Sequence, residues 1–145
     1  MRRTLLALSV LALLPACPRA ALATAGAATG TVTLSVTKVE PGKGAVYISL
    51  CTAAEFMRRC ALRRKAEASA DTVAVTFDAV PPGRYAAMAW QDFGDDGKMA
   101  SGVFGEPLEP TGASRDATGM MGPPSFDDAA FDVAEGSVTQ SFRLR

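Results

Sequence analysis

Apolar residues at every second position set the frame for this chain. In residues 31–37, TVTLSVT, Val32, Leu34 and Val36 alternate with Thr31, Thr33, Ser35 and Thr37, the period of a strand with one buried face. The turn PGKG follows. AVYISLC (45–51) then points Val46, Ile48 and Leu50 inward, and TVAVTF (72–77) does so with Val73, Val75 and Phe77. After the turn VPPG, the strand RYAAMAWQD (84–92) is apolar on both faces, with Met88 and Trp90 on one and Tyr85, Ala87 and Ala89 on the other. That pattern belongs to a central strand. AAFDV and SVTQSFRLR add two more strands, the last with Val138, Phe142 and Leu144 inward and Arg143 and Arg145 outward. Residues 93–125 carry seven glycines and four prolines and read as ordered loop with at most short strands. The expected fold is all-β, an antiparallel β-sandwich of about seven strands with one short helical turn and one disulfide.

Residues 1–25 have the pattern of a secretory signal peptide. Arg2 and Arg3 precede an apolar run, and small residues around Ala23 and Ala25 suit cleavage. The alternative is a lipoprotein site with Cys17 acylated, which the proline at position 15 fits poorly. The run is shorter than the ~20 residues a membrane-spanning helix needs. The expectation is a periplasmic or secreted protein, not membrane-spanning, with one domain over residues 26–145. Of 15 basic and 15 acidic residues, Arg2, Arg3 and Arg19 belong to this leader, leaving 12 against 15. Such a balance offers no positive field for a phosphate backbone, and nucleic acid is not an expected partner.

Cys51 and Cys60 remain as an even pair, expected to be bridged in an oxidising compartment. The stretch TAAE (52–55) is a capping box that starts a helix. Continued to Cys60, that helix would hold the two Cα atoms roughly 13 Å apart, whereas a bridge needs about 7 Å or less. One helical turn followed by a reversal resolves the conflict, and closing the loop contributes roughly 2–3 kcal/mol. A redox-active pair would call for two-residue spacing, which is absent.

The chain contains no histidine. That removes Ser-His-Asp and Cys-His nucleophile systems, imidazole acid–base chemistry and histidine metal sites, and argues against an enzyme. A carboxylate pair is the remaining catalytic option, as in hydrolases of glycosides. Asp127 and Asp128 are unsuited to it, because neighbours on an extended segment face opposite ways. DFGDDGK (92–98) raises a different possibility. Asp92, Asp95 and Asp96 followed by Gly97 resemble the start of a calcium loop, but Gly94 and Val103 stand where an EF-hand loop needs oxygen ligands. The same residues suit a tight turn, in which aspartates bond nearby backbone N–H groups. No cofactor is expected apart from a calcium ion at those three aspartates, with affinity of about 0.1–1 mM.

The blocks FDAVPPGRYAAMAWQDFGDDGKM, GEPLEP and MGPPSFDDAAFDV closely resemble those of the bacterial family called domain of unknown function 2141. ISLCTAAEFMRRC looks like its cysteine-bearing version. The resemblance implies a secreted sandwich of transthyretin-like and carboxypeptidase-regulatory-like type, sharing a corner matched by Phe77, Pro81, Pro82, Gly83 and Tyr85. It implies no activity. Relative to the family block around position 92, Gln91 replaces a histidine, Gly94 an asparagine and Ala100 an aspartate, so three possible donors are missing.

Charge is distributed unevenly. Arg58, Arg59, Arg63, Arg64 and Lys65, read as part of the disulfide loop, hold five of those 12 basic residues, whereas residues 92–135 hold ten acidic residues against Lys98 and Arg115. The functional expectation is a non-catalytic module for contact with a protein or a cell-envelope component, using the basic cluster and the glycine-rich loop. Calcium-assisted binding of carbohydrate or a surface polymer is the alternative, and a carboxylate hydrolase a more distant one.

Overall fold

The computed structural model describes residues 28–145; the expected leader, with Arg2, Arg3 and Cys17, lies outside them. Eight strands form: β1 (Gly30–Thr37), β2 (Ala45–Cys51), β3 (Leu62–Glu67), β4 (Thr72–Val80), β5 (Gly83–Asp92), β6 (Thr111–Ala113), β7 (Ala130–Val133) and β8 (Gly136–Arg143). One sheet has the order β4-β1-β8. The other has the order β3-β2-β5-β6, with β7 also on β5. The ten-residue β5 thus holds two short strands in succession along one flank, β7 beside Gly83–Ala86 and β6 beside Met88–Trp90.

The alternating residues meet between the sheets. Val32, Leu34 and Val36 of β1, Phe77 of β4 and Phe142 of β8 pack against Val46, Ile48 and Leu50 of β2 and Tyr85, Ala87 and Ala89 of β5. Each such aliphatic side chain contributes about 1.5–3 kcal/mol on burial, which is why the period-two pattern dictates the register. A second, smaller cluster lies on the outer face of the five-stranded sheet, where Cys51, Phe56, Cys60, Ala86, Ala113 and Ala129 come together.

Three expectations need correction. Arg63, Arg64 and Lys65 are not loop residues but lie in β3, paired antiparallel to β2. A strand with three consecutive cations has no apolar alternation to reveal it, and charge is how an open sheet edge is commonly protected. The first and last strands, β1 and β8, run parallel, with Gly30 opposite Gly136 and Thr37 opposite Arg143; side-chain alternation is the same for either direction and cannot report it. Asp127 and Asp128 occupy a single helical turn, α1 (Phe126–Ala129), rather than an extended segment, because Ser125 caps it by accepting the Asp128 N–H at 3.2 Å.

The expected disulfide joins Cys51 to Cys60 with their Cα atoms 5.0 Å apart. The Phe56 N–H reaches the Thr52 carbonyl at 3.0 Å, one helical turn, and the chain then reverses at Met57, whose φ is 58°. At the β4–β5 corner the Tyr85 hydroxyl donates to the Pro81 carbonyl at 3.0 Å, tying the turn back onto the strand that follows it. Tyr85→Phe keeps the ring in the core and removes only this bond. It is expected to lower unfolding free energy by about 1 kcal/mol in urea titration, with an unchanged m-value.

Candidate functional site

Pairing register builds the site. On the outer face of the five-stranded sheet, Lys65 of β3 lies opposite Tyr47 of β2, Tyr47 opposite Trp90 of β5, and Trp90 opposite Thr111 of β6. The next row along is Arg63, Ser49, Met88 and Ala113. Beyond it, Cys51 and Ala86 lie under the second cluster. One end of this face is therefore closed by the disulfide, Phe56 and Phe126, whose rings meet edge to face at 5.7 Å. The other end forms the floor of a groove of about 1250 Å³.

The floor is aromatic and ordered from one edge. Tyr47 and Trp90 stack with centroids 4.8 Å apart and an interplanar angle of 11°. The Lys65 ammonium stands 5.6 Å from the Tyr47 ring centroid and pairs with Asp95 at 2.6 Å. The Asp95 hydrogen bond raises the Lys65 pKa above its ordinary value, with burial opposing. The walls come from loops. The cysteine loop supplies Met57 and Arg58, and the glycine-rich segment supplies Met99, Phe104 and Met121. A small hairpin closed by Leu108 N–H to Ala100 O at 2.9 Å and Gly102 N–H to Glu106 O at 2.8 Å holds Val103 and Phe104 at its tip, both almost fully exposed.

The basic cluster does not act as one patch. Strand alternation sends Arg63 and Lys65 to the groove face, while Arg64, opposite Ile48, stacks over Phe77 with its guanidinium carbon 5.0 Å from the ring centroid. Arg58 also borders the groove, and Arg59 is exposed on the cysteine loop. Arg58 and Arg63 make no ion pair among the described residues.

Asp92, Asp95 and Asp96 are placed apart in role. Asp92 ends β5 fully buried, and its Oδ2 accepts the Gly97 N–H at 2.7 Å. Asp95 is engaged with Lys65, and Asp96 is exposed, with Oδ1 accepting the Lys98 N–H at 2.8 Å. Among the described residues no three Asp, Glu, His or Cys side chains stand together as a metal-binding group. Glu109 completes the turn from its far end, accepting the Phe93 N–H at 2.8 Å and the Ala100 N–H at 3.0 Å. Gln91 is buried and clamps the β1–β2 turn. Its amide nitrogen donates to the Glu40 and Lys43 carbonyls at 2.8 and 2.7 Å, and its amide oxygen accepts the Glu40 N–H at 2.9 Å. Gly44 in that turn has φ 57°, and a Cβ there would collide with the Asp92 carbonyl.

A family model described as an uncharacterized protein conserved in bacteria, DUF2141, matches residues 34–141. The chain belongs to this family. The match runs from the middle of β1 into β8, so the family domain includes strands of both sheets, the cysteine loop and every groove-lining element from β2 to Pro124. No curated protein and no solved structure matches the chain. No helix among the described residues is long and apolar enough to cross a membrane.

The Tyr47–Trp90 pair was not singled out by sequence reasoning, which followed inward-facing residues. Its signal was present in the outward positions of β2 and β5, but only the register shows that the two rings are opposite each other. The cysteine loop that carries Met57 and Arg58 is held by Glu55, which accepts the Thr52 N–H and hydroxyl, each at 3.0 Å, and the Ala61 N–H at 3.1 Å. The Thr52 N–H first, then its hydroxyl, hold the Glu55 carboxyl below its ordinary value of 4.5, against a smaller opposing effect of burial. A depressed carboxyl pKa stabilises fully above the unfolded value and loses that contribution as pH falls through the folded one. Denaturant midpoints measured below pH 4.5 are thus expected to fall more steeply for the unaltered protein than for Glu55→Gln.

Proposed function

We propose that this protein is a non-catalytic binding module acting outside the cytoplasm, and that the groove over Tyr47 and Trp90 receives an anionic component of the cell envelope. The observation that carries the reading is the lining itself. Arg58, Arg63, Lys65 and Arg145 border the groove with their charged side chains, against Glu106 as the one acidic lining residue. The Glu106 carboxylate is turned to its own loop, where it accepts the Phe104 N–H at 3.0 Å. A surface with this excess of cations favours an anion. The apolar residues decide which kind. Val103, Phe104, Met120 and Met121 are almost fully exposed, and Phe104 and Met121 line the groove together with the arginines; exposed apolar side chains next to basic ones suit the boundary between lipid headgroups and acyl chains. Four of the five methionines after Met1 line the groove, and their flexible thioethers adapt to irregular apolar ligands. The stacked aromatic floor speaks less for a sugar platform, because Tyr47 is covered on one side by Trp90 and approached by Lys65.

Sedimentation with phosphatidylglycerol vesicles is expected to show binding that weakens with added salt and is absent with phosphatidylcholine. At about 1 kcal/mol per cation, Arg58→Gln with Arg63→Gln should weaken it roughly 30-fold. Equal binding to both lipids, or none to either, would remove the lipid surface and leave an acidic protein segment as the ligand to seek by crosslinking.

A further inference from the structure

We propose that Asp92 anchors a calcium site enclosed by the 92–97 turn. Two carboxylates are shut into this corner of the molecule, Asp92 at 0% exposure and Glu109 at 9%. Neither belongs to an ion pair among the described residues, since Lys65 is taken by Asp95. Glu109 has a backbone N–H on each oxygen. Asp92 does not. Its Oδ2 is satisfied by Gly97, while Oδ1 is buried with no hydrogen-bond partner among the described residues. A carboxylate oxygen withdrawn from solvent without a partner is costly by several kcal/mol, and the turn is otherwise built to satisfy its polar groups.

The orphaned atom is aimed into the turn. Oδ1 lies 3.8 Å from where a Cβ on Gly94 would be, and beyond the adjoining residues Phe93 and Asp95 no other atom comes within 4 Å of that point. Glycine at 94 thus leaves space in front of the one free oxygen. A hard cation there meets an anionic oxygen, with backbone carbonyls and water to complete its shell. Calcium accepts such mixed, irregular oxygen sets at six to eight positions, whereas magnesium demands a near-ideal octahedron and gives up water reluctantly. Because no third carboxylate converges, the affinity belongs in the weak range, about 0.1–1 mM. Asp95 and Asp96 stand outside the site, one paired to Lys65 and the other exposed. The inference is independent of what the groove binds, although the same turn places Gly97 and Met99 on the groove wall.

Terbium is a luminescent stand-in for calcium, and Trp90, the one tryptophan in the chain, sits two residues before Asp92 and serves as its antenna. Exciting Trp90 is expected to produce terbium emission that millimolar calcium displaces. Asp92→Asn should weaken terbium binding at least tenfold, and the double change Asp95→Asn with Asp96→Asn should leave it within about twofold. Since Asp92→Asn could also loosen the turn, the unaltered protein is melted in parallel. Ten millimolar calcium should raise its Tm by roughly 5–10 °C over chelator. Superimposable melts without sensitised emission would mean that Oδ1 is met by water alone and would overturn the site. Emission that depends on Asp95 and Asp96 would equally overturn it, placing the ion at the surface.

Discussion

The antiparallel register of β2 against β5 is the constraint on which the rest of this molecule depends. It places Val46, Ile48 and Leu50 beside Gln91, Ala89 and Ala87 on the inner face, and Tyr47, Ser49 and Cys51 beside Trp90, Met88 and Ala86 on the outer. Slipping it by one residue would send every one of these side chains to the opposite face. Core, aromatic floor and disulfide position are therefore consequences of a single alignment. Gln91 and Asp92 hold that alignment at its open end. Their side chains bind the turns on either side of the two strands rather than each other, so each hairpin end is fastened by a residue of β5.

The outer face of the five-stranded sheet is divided between two uses. Near Cys51 it is covered by a compact patch in which Ser114 is central, its hydroxyl donating to the Ala129 carbonyl at 2.5 Å and accepting the Ala87 N–H at 2.9 Å. Near Tyr47 it is left open as the floor of the groove. The division follows from side-chain size along β5. Ala86 lets covering segments approach, while Met88 and Trp90 hold them away. The long glycine- and proline-rich segment is thus two structures, a wall over the aromatic end and a lid over the alanine end.

Much of this fold could be read before any coordinates, and the failures have physical causes. β1, β2, β4, β5 and β8 were legible because Val, Ile, Leu and Phe recur at alternate positions, and burial on one face is what enforces that pattern. β3 was not, because Arg63, Arg64 and Lys65 sit on a sheet edge whose pairing is made by the backbone, and backbone bonds leave no trace in side-chain type. The single turn at Phe126–Ala129 was missed for a related reason: with one cap and four residues it has no periodicity to show. For the aspartates, residue type was a fair guide to turn chemistry at Asp92 and Asp96, which accept backbone N–H groups within the turn, but not at Asp95, which pairs with Lys65. What composition could not distinguish was the buried Asp92 from the exposed Asp96. That difference comes from Glu109, seventeen positions after Asp92, folding back over the turn.

The parallel pairing of β1 with β8 also sets the orientation of the molecule on whatever precedes it. Gly30 lies at the pole shared with Val80 and Gly83, whereas Thr37, Thr72, Ala45 and Asp92 mark the other pole. The seven steps of β1 separate these poles by roughly 23 Å. The polypeptide before residue 30 therefore enters at the base of the sandwich, and the aromatic groove opens near its crown. Were the chain tethered through that leading segment, Tyr47 and Trp90 would face sideways from the sheet, near the end of the domain that stands farthest from the attachment point.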